Sequence, residues 1–365
     1  MTMLAVRATQ GSHALTLEQI PIPQPGPLDV VVKVVSAGLA PGMMALLKMG
    51  AFKHLPTTLG HEAAGTVAAV GEQVTGIAVG DRVRVHPNLN CRSCDYCRTD
   101  RDMMCPQQAM IGHAGFGAVP MPLYERYHDG GLAEYVRVPH WLIDQLPDNV
   151  NFDVAAKVHD LANVVRILKC AQLPLGSTVV TTAATGTMGT ATIKLAEHFG
   201  IARLLLVGRS AERLAAVTPL AGDVEVETIA LDELPTDWES TGGLTRRLRE
   251  LAPAGVHAVA DYIPAGAATG QAMAALRTGG TLAHMGGNAT PLSLPPRALM
   301  VNCWRFVGTR ACTRSDADQV LALLGSGALN VDELITQRFP LAEADTAVDA
   351  MVNRKEPMWM TVVNP

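Results

Sequence analysis

Apolar positions follow two different rhythms along the chain. Over the first 90 residues, short runs at Val30 to Val35, Gly65 to Val70 and Arg82 to Val85 are separated by turn glycines at Gly71, Gly76 and Gly80. β-Branched and apolar runs cut this short predict β-rich structure. From about residue 153 the pattern changes to strands alternating with helices. Thr178 to Thr182 predicts a strand, Met188 to Phe199 a helix stopped by Gly200, and Leu204 to Val207 the next strand. Val256 to Ala260, Thr281 to His284 and Trp304 to Gly308 predict further strands, and the small residues of Gly266 to Leu276 a helix. Such alternation over about 150 residues implies a parallel, doubly wound sheet. Ser315 to Leu324 and Ala342 to Met351 have helical spacing, whereas Ala114 to Tyr127 and Asp232 to Thr241 show neither period and are expected to be loops. The expected fold class is therefore α/β, a β-rich region joined to a doubly wound sheet.

Composition narrows the function classes. Of 365 residues, 48% are apolar and 17% charged, enough for a large core and too few charges for a disordered chain. The net charge of −5 offers no basic face to nucleic acid or an anionic membrane. Met1 to Glu18 lacks the basic and apolar blocks of a signal peptide, and no apolar run approaches the roughly 20 residues that cross a bilayer. A soluble, cytoplasmic protein acting on a small molecule is expected, with no nucleic-acid or membrane partner.

Four of the seven cysteines, Cys91, Cys94, Cys97 and Cys105, fall within one short stretch. The spacing Cys-x2-Cys-x2-Cys-x7-Cys lets a tight loop converge four thiolates on one zinc ion, closing a tetrahedron with no open position. Such a site is structural. An iron–sulfur cluster is a rival, because Cys105-Pro106 is like a ferredoxin ending, but that pattern has a three-residue last gap. One structural zinc per chain is the expectation.

Thr178 to Gly189 runs from a strand through a tight turn into a helix. Gly186 and Gly189 stand at the second and third positions of Gly-x-Gly-x-x-Gly, with Ala184 at the first and Thr187 and Met188 between. This arrangement lets backbone approach a pyrophosphate at a helix N-terminus. The acidic residue that would bind a ribose 2′-hydroxyl is expected about 20 residues on. That place holds Gly208, Arg209 and Ser210, with Arg213 one turn further. With no carboxylate to repel a 2′-phosphate and a guanidinium to bind it, NADP(H) is favoured over NAD(H).

Together these pieces resemble the medium-chain dehydrogenase/reductase superfamily, of the zinc alcohol dehydrogenase type. The resemblance rests on Gly60-His61-Glu62-x-x-Gly65, Gly71 to Val74, Gly80-Asp81-Arg82-Val83, the four-cysteine lobe, Asp129-Gly-Gly-Leu-Ala-Glu-Tyr135, the glycine turn, and Phe339-Pro-Leu with Ala347. It covers nearly the whole chain. It implies a GroES-like catalytic domain over 1–160 and 301–365, a Rossmann NADP-binding domain over 161–300, and an active site in the cleft. It also implies a homodimer or homotetramer.

Members of this family usually hold a second, catalytic zinc on Cys, His and a third Cys or Asp, beside a Glu. His61 and Glu62 match the His-Glu pair, and Asp160 falls at the third position with His159 next to it. The first ligand is missing. Ala40-Pro41-Gly42-Met43 stands where thiolate, relay hydroxyl and acid are expected, the relay histidine reads Ala45, and no cysteine precedes Cys91. Two readings follow for His61, Glu62, Asp160 and His159: a metal on an altered ligand set, or a metal-free hydrogen-bonded cluster. The second is preferred, because one side of the site lacks a ligand.

Metal-free relatives reduce conjugated C=C bonds, where charge spreads into an enolate. The expected function is NADPH-dependent reduction of an activated C=C or carbonyl of a small apolar substrate. Alternatives are an NADP-dependent zinc alcohol dehydrogenase and a non-catalytic NADPH-binding protein. Substrate loops are expected at Gly42 to Ala51 and Ala114 to Tyr127, with Met43, Met44, Met49, Met110 and Met121 suggesting an apolar pocket. Tyr127, His128 and His159 are candidate proton donors.

Overall fold

A computed structural model describes every residue except Ser12, His13, Ala118 and Lys355. It comprises two units, Met1–His159 with Ala311–Pro365, and Asp160–Arg310. The second boundary falls ten residues beyond the expected position, because Arg305–Gly308 pairs in parallel with Leu276–His284 and belongs to the parallel sheet.

The N-terminal part of the first unit contains β1 (Thr2–Ala8), β2 (Leu15–Pro21), β3 (Asp29–Leu39), β4 (Thr57–Thr58), β5 (Ala63–Val70), β6 (Arg82–Val85), β7 (Asn88–Leu89), β8 (Ala109–Met110), β9 (Tyr135–Pro139) and β10 (Ile143–Gln145). β3 organises this unit. It contains the β-branched run that starts at Val30, and only Lys33 and Val35 of its residues reach the surface. A strand buried on both faces needs such a near-continuous apolar run. One edge of β3 pairs antiparallel with β5. The other is shared by β9 over Asp29–Lys33 and by the strand Met360–Asn364 over Ala37–Leu39. Val30, Val32, Val34, Leu59, Leu132 and Val136 lie in the core beneath.

Three stretches expected to be irregular contain helices. Pro41–Lys48 is helical, starts with proline at its first position and buries Met43, Met44 and Leu47. Met43, Met44, Met110 and Met121 are therefore core residues, and Met49 is exposed, so they do not by themselves outline a substrate pocket. Pro122–Arg126 forms a short helix that buries Tyr124, and Trp238–Thr241 forms another. Helices of four to eight residues are too short to display a 3.6-residue period.

The second unit holds β11 (Ser177–Thr181), β12 (Ile201–Gly208), β13 (Glu225–Ala230), β14 (Val256–Asp261), β15 (Leu276–His284) and β16 (Arg305–Gly308). All pair in parallel, in the order β13-β12-β11-β14-β15-β16. This is a Rossmann order, with its topological switch point between β11 and β14. The helix after β11 spans Thr187–Leu195, followed by a 3₁₀ turn at Glu197–Phe199 and the left-handed Gly200 at φ 65°. The helix expected over Gly266 to Leu276 is shorter, Ala268–Met273, because Leu276 already opens β15. Among the described residues no helix is long and apolar enough to cross a membrane.

Candidate functional site

In the second unit, the turn after β11 places Gly186 as N-cap of the helix Thr187–Leu195. A Cβ at Gly189 would lie 2.5 Å from the Cα and carbonyl oxygen of Ala184, so only glycine lets helix and turn approach this closely. Gly208 ends β12, and a Cβ there would lie 3.4 Å from the Thr185 methyl, so the end of β12 faces the glycine turn. Arg209 follows and is exposed. Ser210 caps the next helix, its Oγ accepting from the Arg213 N–H at 3.5 Å, which leaves the hydroxyl proton free to be donated. Sequence reasoning missed a buried network at the carboxyl ends of β11, β14 and β15. Asp261 there accepts from Thr182 Oγ1 at 2.6 Å and Thr269 Oγ1 at 2.9 Å, and lies 2.6 Å from His284 Nδ1.

In the first unit, Cys91, Cys94, Cys97 and Cys105 come together with all four sulfurs within 4.8 Å of one another. Two sulfur pairs are 3.6 Å and 3.9 Å apart. Four sulfurs each about 2.3 Å from one tetrahedral ion would be about 3.8 Å apart, so the set fits a single zinc. Backbone N–H groups of Cys94, Cys91 and Gln107 point at the sulfurs of Cys91 and Cys105, each at 3.4 Å. Burial raises the Cys91 thiol, but N–H groups of Ser93 and Cys94 outweigh it and bring it down to about 6, whereas burial pushes Cys97 and Cys105 above the ordinary thiol value.

The second constellation of this unit forms where β3 meets β5. The Gly38 N–H donates to the Glu62 carbonyl at 2.9 Å, which continues the pairing past the end of β5 and brings Leu39 and Ala40 alongside His61. The Glu62 side chain packs on Gly38, where any Cβ would collide with Oε2. Glu62 and Lys157, both essentially enclosed, form an ion pair at 2.5 Å. The His61 ring meets His113 edge-on at 4.6 Å and His159 at 5.2 Å. Burial, then the Lys157 charge, push His61 down to about 3. His113 and His159 lie well below their ordinary value, chiefly through burial and then the neighbouring His61.

Residues 26–148 match the family model of the alcohol dehydrogenase GroES-like domain, and residues 187–326 that of the zinc-binding dehydrogenase. The chain belongs to the medium-chain dehydrogenase/reductase superfamily, zinc alcohol dehydrogenase type. It is 29% identical over 343 residues to the probable D-xylulose reductase A of Aspergillus clavatus, covering 93% of this chain and 90% of that protein. The sorbitol dehydrogenase of Bombyx mori is 26% identical over 353 residues, covering 96% and 95%. An alcohol dehydrogenase from Thermus sp. ATN1 superposes with a TM-score of 0.80 at 26% identity, covering 99% of this chain and 100% of that one. As a member of this superfamily the chain is an oxidoreductase of the alcohol and polyol dehydrogenase type, with a GroES-like domain and a Rossmann-like domain.

Within the dehydrogenase plan, the structure sorts the expected residues. His61, Glu62 and His159 come together in the first unit. The His159 ring packs on His61, and Asp160 beside it in sequence is buried. Tyr127 drops out as a proton donor, because its hydroxyl is committed to buried Asp29 at 2.6 Å. His128 Nδ1 lies 3.0 Å from Thr57 Oγ1, away from this group. Two members went unread in the sequence. Lys157 was visible as a lone cation inside the apolar stretch Val154 to Val158, whereas His113 lies in a stretch without period and gave no signal.

Two outcomes are expected. Cys94→Ser should lose the lobe's zinc and lower thermal stability, because the metal organises a loop with little core of its own; unchanged stability with abolished activity would show the lobe to be catalytic. The second concerns acid. His61, His86, His113 and His159 all have depressed folded-state pKa values, so the unfolded chain binds more protons below its own pKa of about 6.5. Stability is then full above that pH and falls below it, by up to about 1.4 kcal/mol per pH unit for each ring. Urea midpoints at pH 8, 6.5 and 5 should fall slightly over the first interval and several times more over the second. A flat series would mean that these rings charge without unfolding.

Proposed function

We propose that the protein is an NADPH-dependent reductase of an activated C=C or C=O bond in a small apolar substrate, working without a catalytic zinc. The observation that carries this reading is the donor set around His61. No side chain of Ala40-Pro41-Gly42-Met43, which follows β3 toward His61, can bind a cation. The Glu62 carboxylate already holds the Lys157 ammonium. A histidine that ligates zinc through Nε2 ordinarily anchors its Nδ1–H on an acceptor. Nδ1 of His61 is enclosed and has no partner. These residues do not fit a catalytic zinc, whereas the cysteine lobe fits a structural one.

NADPH, when bound, supplies a hydride. The chain's own residues would do the rest. Gly189 and the preceding turn admit the pyrophosphate, and Arg209, with Ser210 and Arg213, would hold the 2′-phosphate beside Gly208, where a carboxylate is missing. In the first unit, uncharged His61 and His159 beside the Glu62–Lys157 pair would orient a polar atom of the substrate and pass a proton through water. A conjugated acceptor suits such a site, because its negative charge spreads into an enolate that weaker donors can stabilise. Simple alcohols do not suit it: without a metal to lower its pKa, the alcohol keeps its proton at neutral pH. A cytoplasmic homodimer or homotetramer completes this reading, as the superfamily resemblance implies. A second reading, a zinc alcohol or polyol dehydrogenase with the altered ligands His61, Glu62 and Asp160, has in its favour the names of the relatives, a xylulose reductase and a sorbitol dehydrogenase.

Fluorescence titration should show NADPH bound about 10- to 100-fold more tightly than NADH, with the preference lost in Arg209→Ala. Equal affinities would remove the assignment of Arg209. Metal analysis of the purified protein should give about one zinc per chain, with reduction of α,β-unsaturated aldehydes insensitive to mild chelation. Two zinc ions per chain, with activity lost on chelation and restored by zinc, would replace this reading by the second.

A further inference from the structure

Neither the fold nor the reaction class accounts for the ring of His113 in the first unit. It is 6% exposed, packs edge-on against His61 and lies between Phe52 and Phe116, whose rings are 5.8 Å and 5.9 Å from it. Its carbonyl accepts from the Tyr124 hydroxyl, which fixes the backbone under the ring. Nδ1 of His113, like that of His61, is enclosed with no partner, whereas Nε2 of neither ring is enclosed in that way. An enclosed N–H without an acceptor costs about 1–3 kcal/mol. Each neutral ring therefore keeps its proton on Nε2. His159 follows the same rule by another route. Its Nδ1 lies 3.5 Å from the buried Cys312 sulfur, and that thiol, raised by burial, stays protonated and donates to it.

We infer that His61 and His113 form a two-donor recognition site for the carbonyl oxygen of the substrate, and that the two phenylalanines beside His113 select an aryl or alkyl group next to that carbonyl. The inference rests on the reductase reading and names how a metal-free site would hold the oxygen. Neutral imidazoles are suited to this, since an N–H donor that keeps its proton stabilises an enolate without quenching it. The electron count closes with the groups already named. Hydride from NADPH forms the new C–H bond at the β-carbon, and the C=C π pair moves to make the enolate, whose oxygen accepts from the two Nε2–H groups. A proton from water then adds at the α-carbon, leaving a saturated carbonyl compound, NADP⁺ and a hydroxide that takes up a proton from bulk solvent.

The test uses the full-length protein with NADPH and two probes, cinnamaldehyde as acceptor and cinnamamide as a non-reducible ligand presenting the same oxygen. Wild type, His113→Phe, which keeps the ring shape, and His113→Asn, which restores a donor, are compared. The readouts are kcat/KM, cinnamamide Kd, NADPH Kd and zinc content. Expected are a loss of about 100-fold in kcat/KM for His113→Phe, cinnamamide weakened at least tenfold, partial recovery in His113→Asn, and unchanged NADPH affinity and zinc. Cinnamamide bound in a His113-dependent way by a protein that does not reduce cinnamaldehyde would uphold the recognition site and overturn the proposed reaction. Equal cinnamamide affinity in wild type and His113→Phe, or no cinnamamide binding at all, would overturn the inference. So would a zinc ion lost on substitution, which would make these imidazoles metal ligands.

Discussion

The ion pair between Glu62 and Lys157 is the constraint on which the first unit's site depends. Both side chains are shut off from water, so each charge is tolerated only because the other is there. Removing one partner of such a pair costs about 3–5 kcal/mol, because the remaining charge is left in an apolar surrounding. The pair also dictates its neighbours. Gly38 must be glycine for Glu62 to lie against β3, and the pairing of Gly38 with Glu62 sets where the chain beyond β3 passes His61. Lys157 in turn adds to burial in keeping His61 uncharged. Glu62 thus ties the course of the backbone to the buried pair, and Lys157 adds to burial in holding His61 neutral.

The contrast between the two places where this superfamily holds zinc is one of surroundings as much as of ligand identity. At the cysteine lobe, backbone N–H groups point at the sulfurs of Cys91 and Cys105. Around His61, Nδ1 of the His61 and His113 rings has no partner, Nδ1 of His159 faces the Cys312 sulfur, and one oxygen of Glu62 is held by the Lys157 ammonium. A ligand set depends on the groups behind the ligands as well as on the ligands themselves.

Much of this was legible in the sequence. The parallel sheet could be read because short β-branched and apolar runs alternate with helical stretches over about 150 residues, and the cysteine spacing favoured a four-thiolate zinc over an iron–sulfur cluster. The short helices Pro41–Lys48 and Pro122–Arg126 were not legible, since neither is long enough to repeat an apolar face. The pairing of His61 with His113 was hidden for another reason: they are 52 positions apart, and a long-range backbone hydrogen bond from Gly60 to the Gly112 carbonyl brings the two rings together. Asp160 and His159 were both read as site residues, and a linear alignment cannot tell which of two adjacent side chains a helix turns toward a given partner.

The strand Met360–Asn364 closes the free end of β3, and Cys312 supplies the contact behind His159. The site in the first unit is thus assembled from segments at opposite ends of the polypeptide, while residues 160–310 form the other unit without interruption. During synthesis the parallel sheet is complete on the ribosome well before the last strand of the first unit has been made. For that interval β3 exposes part of an edge, with unpaired N–H and C=O groups around Ala37 to Leu39. The order of translation therefore leaves this edge of the β-rich unit to be closed last.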